Sequence, residues 1–259
     1  MRLVRFKRDD QNCPEYGVLL GQEIMPLAGD LFSKSRPTDP LLMLSSVRLL
    51  APVEPPNVLC LGRKYRTYPG EANPKCPSEP LVFIKSNTAV TGLESIIHLP
   101  IVAPAEVYFE AELVVVIGRL ARNVSKEDAA RHVLGYTVGT DLGAKDCQAK
   151  NGQWARAKSF DGFAPLGPWI DTELDPSHLR LRSRLNGEPM QDASTDLMIF
   201  DVATTVSQLS HWMTLLPGTV IMMGFHGVLA ELRHFLQAGD IFESEVEGIG
   251  TSRNTAANS

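Results

Sequence analysis

The sequence predicts a β-rich α+β fold, and three observations support this prediction. Residues 1–50 alternate short apolar runs with turn residues. From residue 57 onward, short apolar runs separated by polar segments rich in Gly and Pro predict mainly strands. Only two stretches have a helix-like pattern, one after Ser125 and one after Val202.

The first predicted elements form a small domain. Residues 3–6 and 17–20 are typical of paired strands joined by a polar bend. Residues 51–56 are a proline-rich connector. We therefore predict a small N-terminal β domain at residues 1–52, the main domain at 53–254 and a disordered tail at 255–259. The alternative is that the first segment is one strand layer of a single continuous domain.

The main domain is predicted as strands with two helices. Ser125 and Asp128 have a capping-box-like spacing, which predicts a short helix that ends near Gly135. A second helix is predicted over residues 202–216 and ends at a Pro-Gly pair. The predicted strands of this domain are residues 57–62, 80–85, 107–118, 134–141, 219–223 and 241–246.

Composition excludes several classes of function. The chain has 259 residues, of which 44% are hydrophobic and 21% charged, as in an ordinary globular protein. Its net charge of −5 disfavours nucleic acid and anionic membrane as partners. The N-terminus lacks the apolar core of a secretory signal, and no apolar stretch reaches the ~18 residues of a membrane span. Four widely spaced cysteines are expected to be reduced thiols, so a cytoplasmic protein is predicted.

Two carboxylates are directed into the same space at the start of a predicted strand. The run that contains Glu110 and Glu112 ends in apolar residues and predicts a buried strand, in which residues two apart share a face. Two like charges there would repel and be costly to desolvate, and a divalent cation would resolve the conflict. A second predicted strand ends in a third carboxylate, Asp141. The alternative for the glutamates is a solvated strand end.

The order of these motifs resembles the fumarylacetoacetate hydrolase family. The family pattern is E-x-E-L, then G-Y-x-x-x-N-D, then G-K-S-F-D-x-F-x-P-L-G-P-W. This chain carries Glu110-Ala-Glu-Leu, then Gly135-Tyr with Asp141, then Lys158-Ser-Phe-Asp followed by Phe163-Ala-Pro-Leu-Gly-Pro-Trp. The resemblance extends from Val53 to Asn254. It implies a mixed β-sandwich roll and a homodimer.

The ligand set that the resemblance implies is Glu110, Glu112 and Asp141. These are hard oxygen ligands, so Mg²⁺ or Mn²⁺ is expected, with Ca²⁺ possible in place of the native ion. Zinc would prefer imidazole or thiolate. Similar enzymes use the cation to chelate the carboxylate and keto oxygen of a 2-oxo acid, and it stabilises the enolate that C–C cleavage or deprotonation leaves.

The resemblance also implies residues that contact the substrate. Lys158 occupies the position of the family's lysine and would supply a second positive charge; the alternative is a surface lysine paired with Asp161. Gln191 matches the glutamine of an N-G-x-x-x-Q pattern and would donate to a substrate oxygen, unless it is a turn amide. Arg63 is expected to meet a substrate carboxylate or else to face solvent. Asp146 and Asp161 resemble supporting groups more than ligands.

The chain departs from the family where water is activated. Many relatives have a histidine and a glutamate that act together on a water; here Tyr68 replaces the histidine and Glu71 matches the glutamate. A phenol, with a pKa of about 10, is a poor general base near neutrality. In a second motif, Phe225 and His226 replace the usual threonine and proline that help to bind substrate. His226 is either a relocated base or a structural histidine.

These departures shift the predicted chemistry. Hydrolysis of an acylpyruvate needs a base, whereas decarboxylation of a β-keto acid needs only chelation and enolate stabilisation. Keto–enol isomerisation needs a proton shuttle, which Tyr68 or Glu71 would provide. The sequence therefore predicts a metal-dependent enzyme that cleaves a C–C bond in a 2-oxo or 1,3-dicarbonyl acid. The alternatives are an isomerase, a repurposed enzyme for a bulkier apolar intermediate, and a non-catalytic metal-binding protein.

Overall fold

The described part of the chain forms two β-sheets that pack against each other, so the predicted β-rich α+β class is confirmed. The computed structural model describes residues 1–9, 11, 13–62, 65–66, 76–103, 105–224 and 234–259, without the side chains of 149–151. The strands of the N-terminal segment are β1 (Arg2–Arg8), β2 (Glu15–Leu20), β3 (Glu23–Gly29), β4 (Ser35–Pro37), β5 (Leu42–Met43) and β6 (Val47–Leu49). The strands that follow are β7 (Val58–Gly62), β8 (Leu81–Lys85), β9 (Val90–Thr91), β10 (Ile96–Leu99), β11 (Val107–Ile117), β12 (Val133–Ala144), β13 (Ala164–Asp171), β14 (Arg180–Leu185), β15 (Glu188–Ser194), β16 (Val220–Met222), β17 (Ile241–Val246) and β18 (Gly250–Asn258).

The larger sheet places β11 and β12 near its centre. Among the described residues its order is β4-β3-β2-β1-β13-β12-β11-β16-β7-β8, with β5, β6 and β9 attached to it by short pairings. The smaller sheet has the order β10-β18-β17-β14-β15. Apolar residues from both sheets, such as Val114 and Phe242, share one core cluster. This arrangement buries β11 between its neighbours and the smaller sheet.

The N-terminal segment extends the large sheet. Strands β1 and β2 pair antiparallel, as predicted for residues 3–6 and 17–20. Strand β1 also pairs with β13, with Leu3 opposite Ile170. The side chain of Leu3 belongs to the same core cluster as Val114. The first 52 residues and the rest of the chain therefore share both a sheet and a core, and the boundary between two domains stays a prediction.

The tail predicted to be disordered is a strand. β18 pairs antiparallel with β17 and parallel with β10, and it continues through Asn258. Its side chains alternate in burial, with Ser252, Asn254 and Ala256 inside. The prediction was wrong because these inward residues are small or polar, so the period of two carries no apolar signal.

The described helices differ from the predicted ones, and two of the three were not predicted. They are α1 (Lys145–Asn151), α2 (Trp154–Lys158) and α3 (Val202–Trp212). The side chain of Asp201 caps α3, which ends before the predicted Pro-Gly stop because the chain turns extended at Met213. The predicted helix after Ser125 is only a 3₁₀ turn at Ala129–His132, and β12 begins directly after it. No helix in the described ranges is long and apolar enough to cross a membrane.

Candidate metal centre and active site

Three carboxylates meet where the register of two strands aligns them. Glu110 on β11 lies directly opposite Asp141 on β12, and Glu112 shares the face of Glu110 because strand side chains alternate. One oxygen from each residue lies within 4.8 Å of the others. The buried apolar half of β11, from Leu113 to Ile117, anchors the strand in the core. The three residues predicted as metal ligands thus lie together.

Glu110 lies on the accessible side of this carboxylate cluster. Its side chain is 23% exposed, whereas that of Asp141 is 2% exposed. Glu112 is also buried, and its Oε2 accepts a hydrogen bond of 2.8 Å from the backbone N–H of Gly224. A ligand would therefore approach from the side of Glu110.

Lys158 contacts two of the three carboxylates. It is the last residue of α2, and its Nζ lies 2.7 Å from Oδ2 of Asp141 and 3.4 Å from Oε2 of Glu110. Burial disfavours the charged ammonium, but Asp141 and Glu110 outweigh it and hold the pKa of Lys158 well above its ordinary value. The alternative of a surface lysine paired with Asp161 is wrong, because the side chain of Lys158 is buried in this cluster and Asp161 is exposed.

Two aromatic rings flank the ammonium of Lys158. Its Nζ lies 4.7 Å from the ring centroid of Tyr108 and 5.5 Å from that of Phe83, distances typical of cation–π contacts. The phenol of Tyr108 lies very close to Gly143: a Cβ added to Gly143 would lie 2.7 Å from Cζ of Tyr108. Burial raises the pKa of Tyr108 to about 12, so its hydroxyl is neutral and donates to Gln148. The rings and the two carboxylates fix the position of the ammonium.

Lys85 is a site residue that the sequence did not reveal. Its Nζ is fully buried and donates to the carbonyl oxygens of Leu142, Lys158 and Phe163 at 2.8–2.9 Å. It also lies 2.7 Å from Oδ1 of Asp141. Burial lowers the pKa of Lys85, and the charge of Asp141 opposes that change. The only sequence signal is a lysine at the end of an apolar run, which is common at strand ends.

Tyr108 could have been found by strand alternation. It stands two residues before Glu110 on a strand that was predicted correctly, so it had to share the face of the carboxylates. No motif singled it out.

The electrostatics of the cluster suit a divalent cation. Burial, together with the charges of Asp141 and Glu110, raises the pKa of Glu112 well above its ordinary value. Burial also disfavours the charged form of Asp141, but the ammonium groups of Lys158 and Lys85 prevail and lower its pKa. With all three carboxyl groups ionised, the two ammonium groups leave one negative charge unbalanced, which a bound cation would compensate.

The donor set supports the same fit. Oδ1 of Asp141 is buried, and its charged neighbour, Nζ of Lys85 at 2.7 Å, also donates to three carbonyl oxygens. Three carboxylates with oxygens within 4.8 Å of one another are the hard ligands that Mg²⁺ or Mn²⁺ prefers.

Gln191 lies at the edge of β11 rather than at the carboxylates. Both ends of its amide bond the backbone of Ala111, between the two glutamates. Of the supporting groups, Asp146 accepts a hydrogen bond from the backbone N–H of Cys147 at the start of α1. The remaining predicted site residues, Arg63, Tyr68, Glu71, Phe225 and His226, lie outside the described residues.

Comparison with known proteins places this site in a family. Residues 57–257 match the family model described as fumarylacetoacetate (FAA) hydrolase, C-terminal, and residues 1–52 match one described as Rv2993c-like, N-terminal. Protein Rv2993c of Mycobacterium tuberculosis is 42% identical over 82% of this chain and 79% of its own length. The oxaloacetate tautomerase fahd2 of Xenopus laevis is 34% identical over 98% of this chain and 89% of its own.

One solved structure matches this chain over the full length of both proteins. It is the 5-carboxymethyl-2-hydroxymuconate delta-isomerase of Mycobacterium smegmatis, with 38% identity, 100% coverage of each chain and a TM-score of 0.91. The family match, the relatives and the shared fold agree with the resemblance in the motifs. The chain belongs to the fumarylacetoacetate hydrolase family.

Proposed function

We propose that this protein is a divalent-cation-dependent tautomerase of a small 2-oxo or 1,3-dicarbonyl acid. It would form the enolate of the acid and release the acid as its other tautomer. The observation that carries the proposal is the ammonium of Lys158, buried between Glu110 and Asp141 at the edge of a three-carboxylate cluster. A fixed positive charge beside a hard-cation site suits a substrate whose oxygen becomes an anion.

The three carboxylates and Lys158 would have different roles in the reaction. Glu110, Glu112 and Asp141 would hold the cation, which when bound supplies Lewis-acid polarisation of the substrate carbonyl. Lys158 would place its charge near the oxygen that becomes negative. Because the ammonium is held by two carboxylates and two rings, it needs no reorganisation when that charge develops.

Tautomerisation is favoured over hydrolysis because it requires proton transfers and no attacking water. A proton leaves the carbon next to the carbonyl and another reaches the oxygen, so no water need attack. Among the described residues, the carboxylate cluster includes no histidine that would activate a water. The tautomerase and the isomerase among the similar proteins support the same reaction class. The proton shuttle would be Tyr68 or Glu71.

C–C cleavage is the second candidate. The matching family model is named after a hydrolase, and decarboxylation of a β-keto acid would proceed through the same enolate. The two candidates differ in which bond to the carbon next to the carbonyl breaks, C–H or C–C, and hydrolysis also needs an attacking water. Product analysis separates them.

The first experiment measures metal-dependent turnover. We expect protein stripped with EDTA to be inactive and Mn²⁺ or Mg²⁺ to restore it, because the carboxylate cluster is the proposed cation site. With oxaloacetate, loss of the enol absorbance while total oxaloacetate is retained would support tautomerisation. Release of CO₂ above the free-metal background, or cleavage of acylpyruvates, would instead support the second candidate.

Lys158→Met tests the role of the ammonium. We expect kcat to fall by roughly 10²- to 10³-fold, because one preorganised charge that meets the developing anion is lost. Steady-state kinetics on the Mn²⁺-loaded protein provide the measurement. Lys126→Met is the matched control, since that exposed lysine pairs with Asp201 on the surface. Equal activities for the two variants, or no metal-dependent turnover of any substrate by the wild type, would contradict the proposal.

A further inference from the structure

The amide of Gln191 pairs with the backbone of Ala111 in the manner of a neighbouring strand. Its Oε1 accepts from the Ala111 N–H at 2.9 Å, and its Nε2 donates to the Ala111 carbonyl at 3.0 Å. Both residues are buried, so water does not compete for these groups. Ala111 is the one residue between Glu110 and Glu112.

This contact lies where, in the described part of the chain, β11 has a neighbouring strand on one edge but not on the other. On one edge β11 pairs with β12 along its whole length, but on the other β16 pairs with it only from Val114 onward. Before that point, in the described part of the chain, single bonds replace the ladder. Leu236 donates to the carbonyl of Val107, and Met223 donates to that of Leu113. Between these two bonds, Gln191 satisfies both backbone groups of Ala111.

Gln191 also links the two sheets at this place. It belongs to β15 of the smaller sheet, where it pairs with Ser183 beside a register shift in β14. Ala111 is in the larger sheet, 80 positions earlier in the chain. The smaller sheet therefore holds the carboxylate-bearing stretch of β11 by a side chain, at an edge where no strand of the described chain pairs with it.

We propose that Gln191 is a positioning residue that fixes the backbone between Glu110 and Glu112, so that both carboxylates face one cation. The inference rests on the cation site of the proposed function. Without Gln191, a buried N–H and a buried carbonyl would lack partners, and this stretch of β11 would move to find them. The separation and direction of the two glutamates would then change together.

The test measures cation affinity in the absence of substrate. In Gln191→Met, which keeps the side-chain length and removes both hydrogen bonds, we expect the Mn²⁺ dissociation constant to rise roughly 10- to 100-fold. Electron paramagnetic resonance of free Mn²⁺ against protein concentration gives the constant. Gln191→Asn, whose amide is one methylene too short for both bonds, should show the same change and serves if the Met variant does not fold.

Ser210→Ala is the matched control. Ser210 is buried in α3, accepts from the Val124 N–H and donates to the Ser207 carbonyl, so its loss also removes two buried hydrogen bonds and leaves the Val124 N–H unpaired. Neither bond involves β11, and we expect an unchanged Mn²⁺ dissociation constant.

Three outcomes would overturn the inference. An unchanged Mn²⁺ dissociation constant in both Gln191 variants with a raised KM would make Gln191 a substrate-binding residue instead. An equal loss of Mn²⁺ affinity in Ser210→Ala would show that the Gln191 variants lose affinity through general destabilisation. A wild-type protein that binds no Mn²⁺ would remove the cation site, and with it both proposals, whereas tight wild-type binding without turnover would weaken only the proposed reaction.

Discussion

At the scale of single residues, one aspartate organises two lysines with different tasks. Lys158 lies between two carboxylates and is flanked by two rings, beside the exposed edge of Glu110. Lys85 lies on the other oxygen of Asp141 and uses its hydrogens on the backbone. The first is suited to meet a ligand and the second to hold the segments that carry the site.

Lys85→Met tests that structural task. It removes a donor from three carbonyl oxygens, of which that of Phe163 keeps the Leu142 N–H, and it removes one of the charges that compensate Asp141. We expect the free energy of unfolding to fall by about 3–5 kcal/mol, as when one partner of a buried ion pair is lost. Urea denaturation provides the measurement. Lys126→Met should cost no more than about 1 kcal/mol, since its pair is exposed; a similar small loss for Lys85→Met would refute the assignment.

Sequence reasoning predicted some of these residues and not others for a physical reason. Strand alternation places Glu110 and Glu112 on one face whatever the rest of the chain does. Lys85 is buried only because carbonyls 57 to 78 residues away converge on it. The partner of Gln191 is likewise a backbone segment 80 residues away. From the sequence, the side-chain amide of Gln191 was therefore expected to bind a substrate oxygen.

At the scale of elements, strands with apolar cores were predictable and strands without them were not. β11 and β12 have long apolar runs and were predicted, although β12 extends to Ala144. β18 was missed because it buries Ser252, Asn254 and Ala256. The helix after Ser125 was predicted from its cap. The end of the predicted helix instead belongs to β12, which begins at Val133 and pairs there with β11.

Deletion of residues 255–259 tests the last strand. It removes the parallel pairing of β18 with β10 and the buried side chain of Ala256. We expect Tm to fall by roughly 5–15 °C, from the loss of several backbone hydrogen bonds in a chain of this size. Thermal unfolding followed by circular dichroism measures it. Removal of Ser259 alone, which lies beyond β18, is the control; equal Tm values for the two deletions would favour a disordered tail after all.

At the scale of the whole molecule, the N-terminal segment has a core of its own and also shares the main one. Val4, Phe6, Leu19 and Ile24 form a separate apolar cluster, against which Trp169 of β13 packs. Leu3 faces the main cluster instead. The sequence predicted β1 and β2 of this segment but not its junction with the main part of the sheet, because a pairing of two residues across most of the chain leaves no local pattern.

Coincident unfolding tests whether the shared core makes the chain cooperative. We expect urea transitions followed by tryptophan fluorescence and by far-ultraviolet circular dichroism to superimpose, because Trp169 contacts the N-terminal cluster from the main part of the sheet. The guanidinium of Arg2 over the ring of Trp169, at 4.7 Å, adds to that contact. An early transition confined to one probe would show instead that the first 52 residues unfold independently.

The position of β6 has a consequence for synthesis on the ribosome. Strand β1 emerges first, yet the strand that completes its pairing at Leu3, β13, is translated only about ten to thirty seconds later at ordinary elongation rates. During that interval an open edge would invite association with other nascent chains. β6 pairs with β1 from Phe6 to Arg8 on the edge shared with β13 and is made well before it. It therefore covers the Phe6–Arg8 end of that edge while the remainder of the protein is still being translated, and leaves Arg2 and Leu3 to pair with β13.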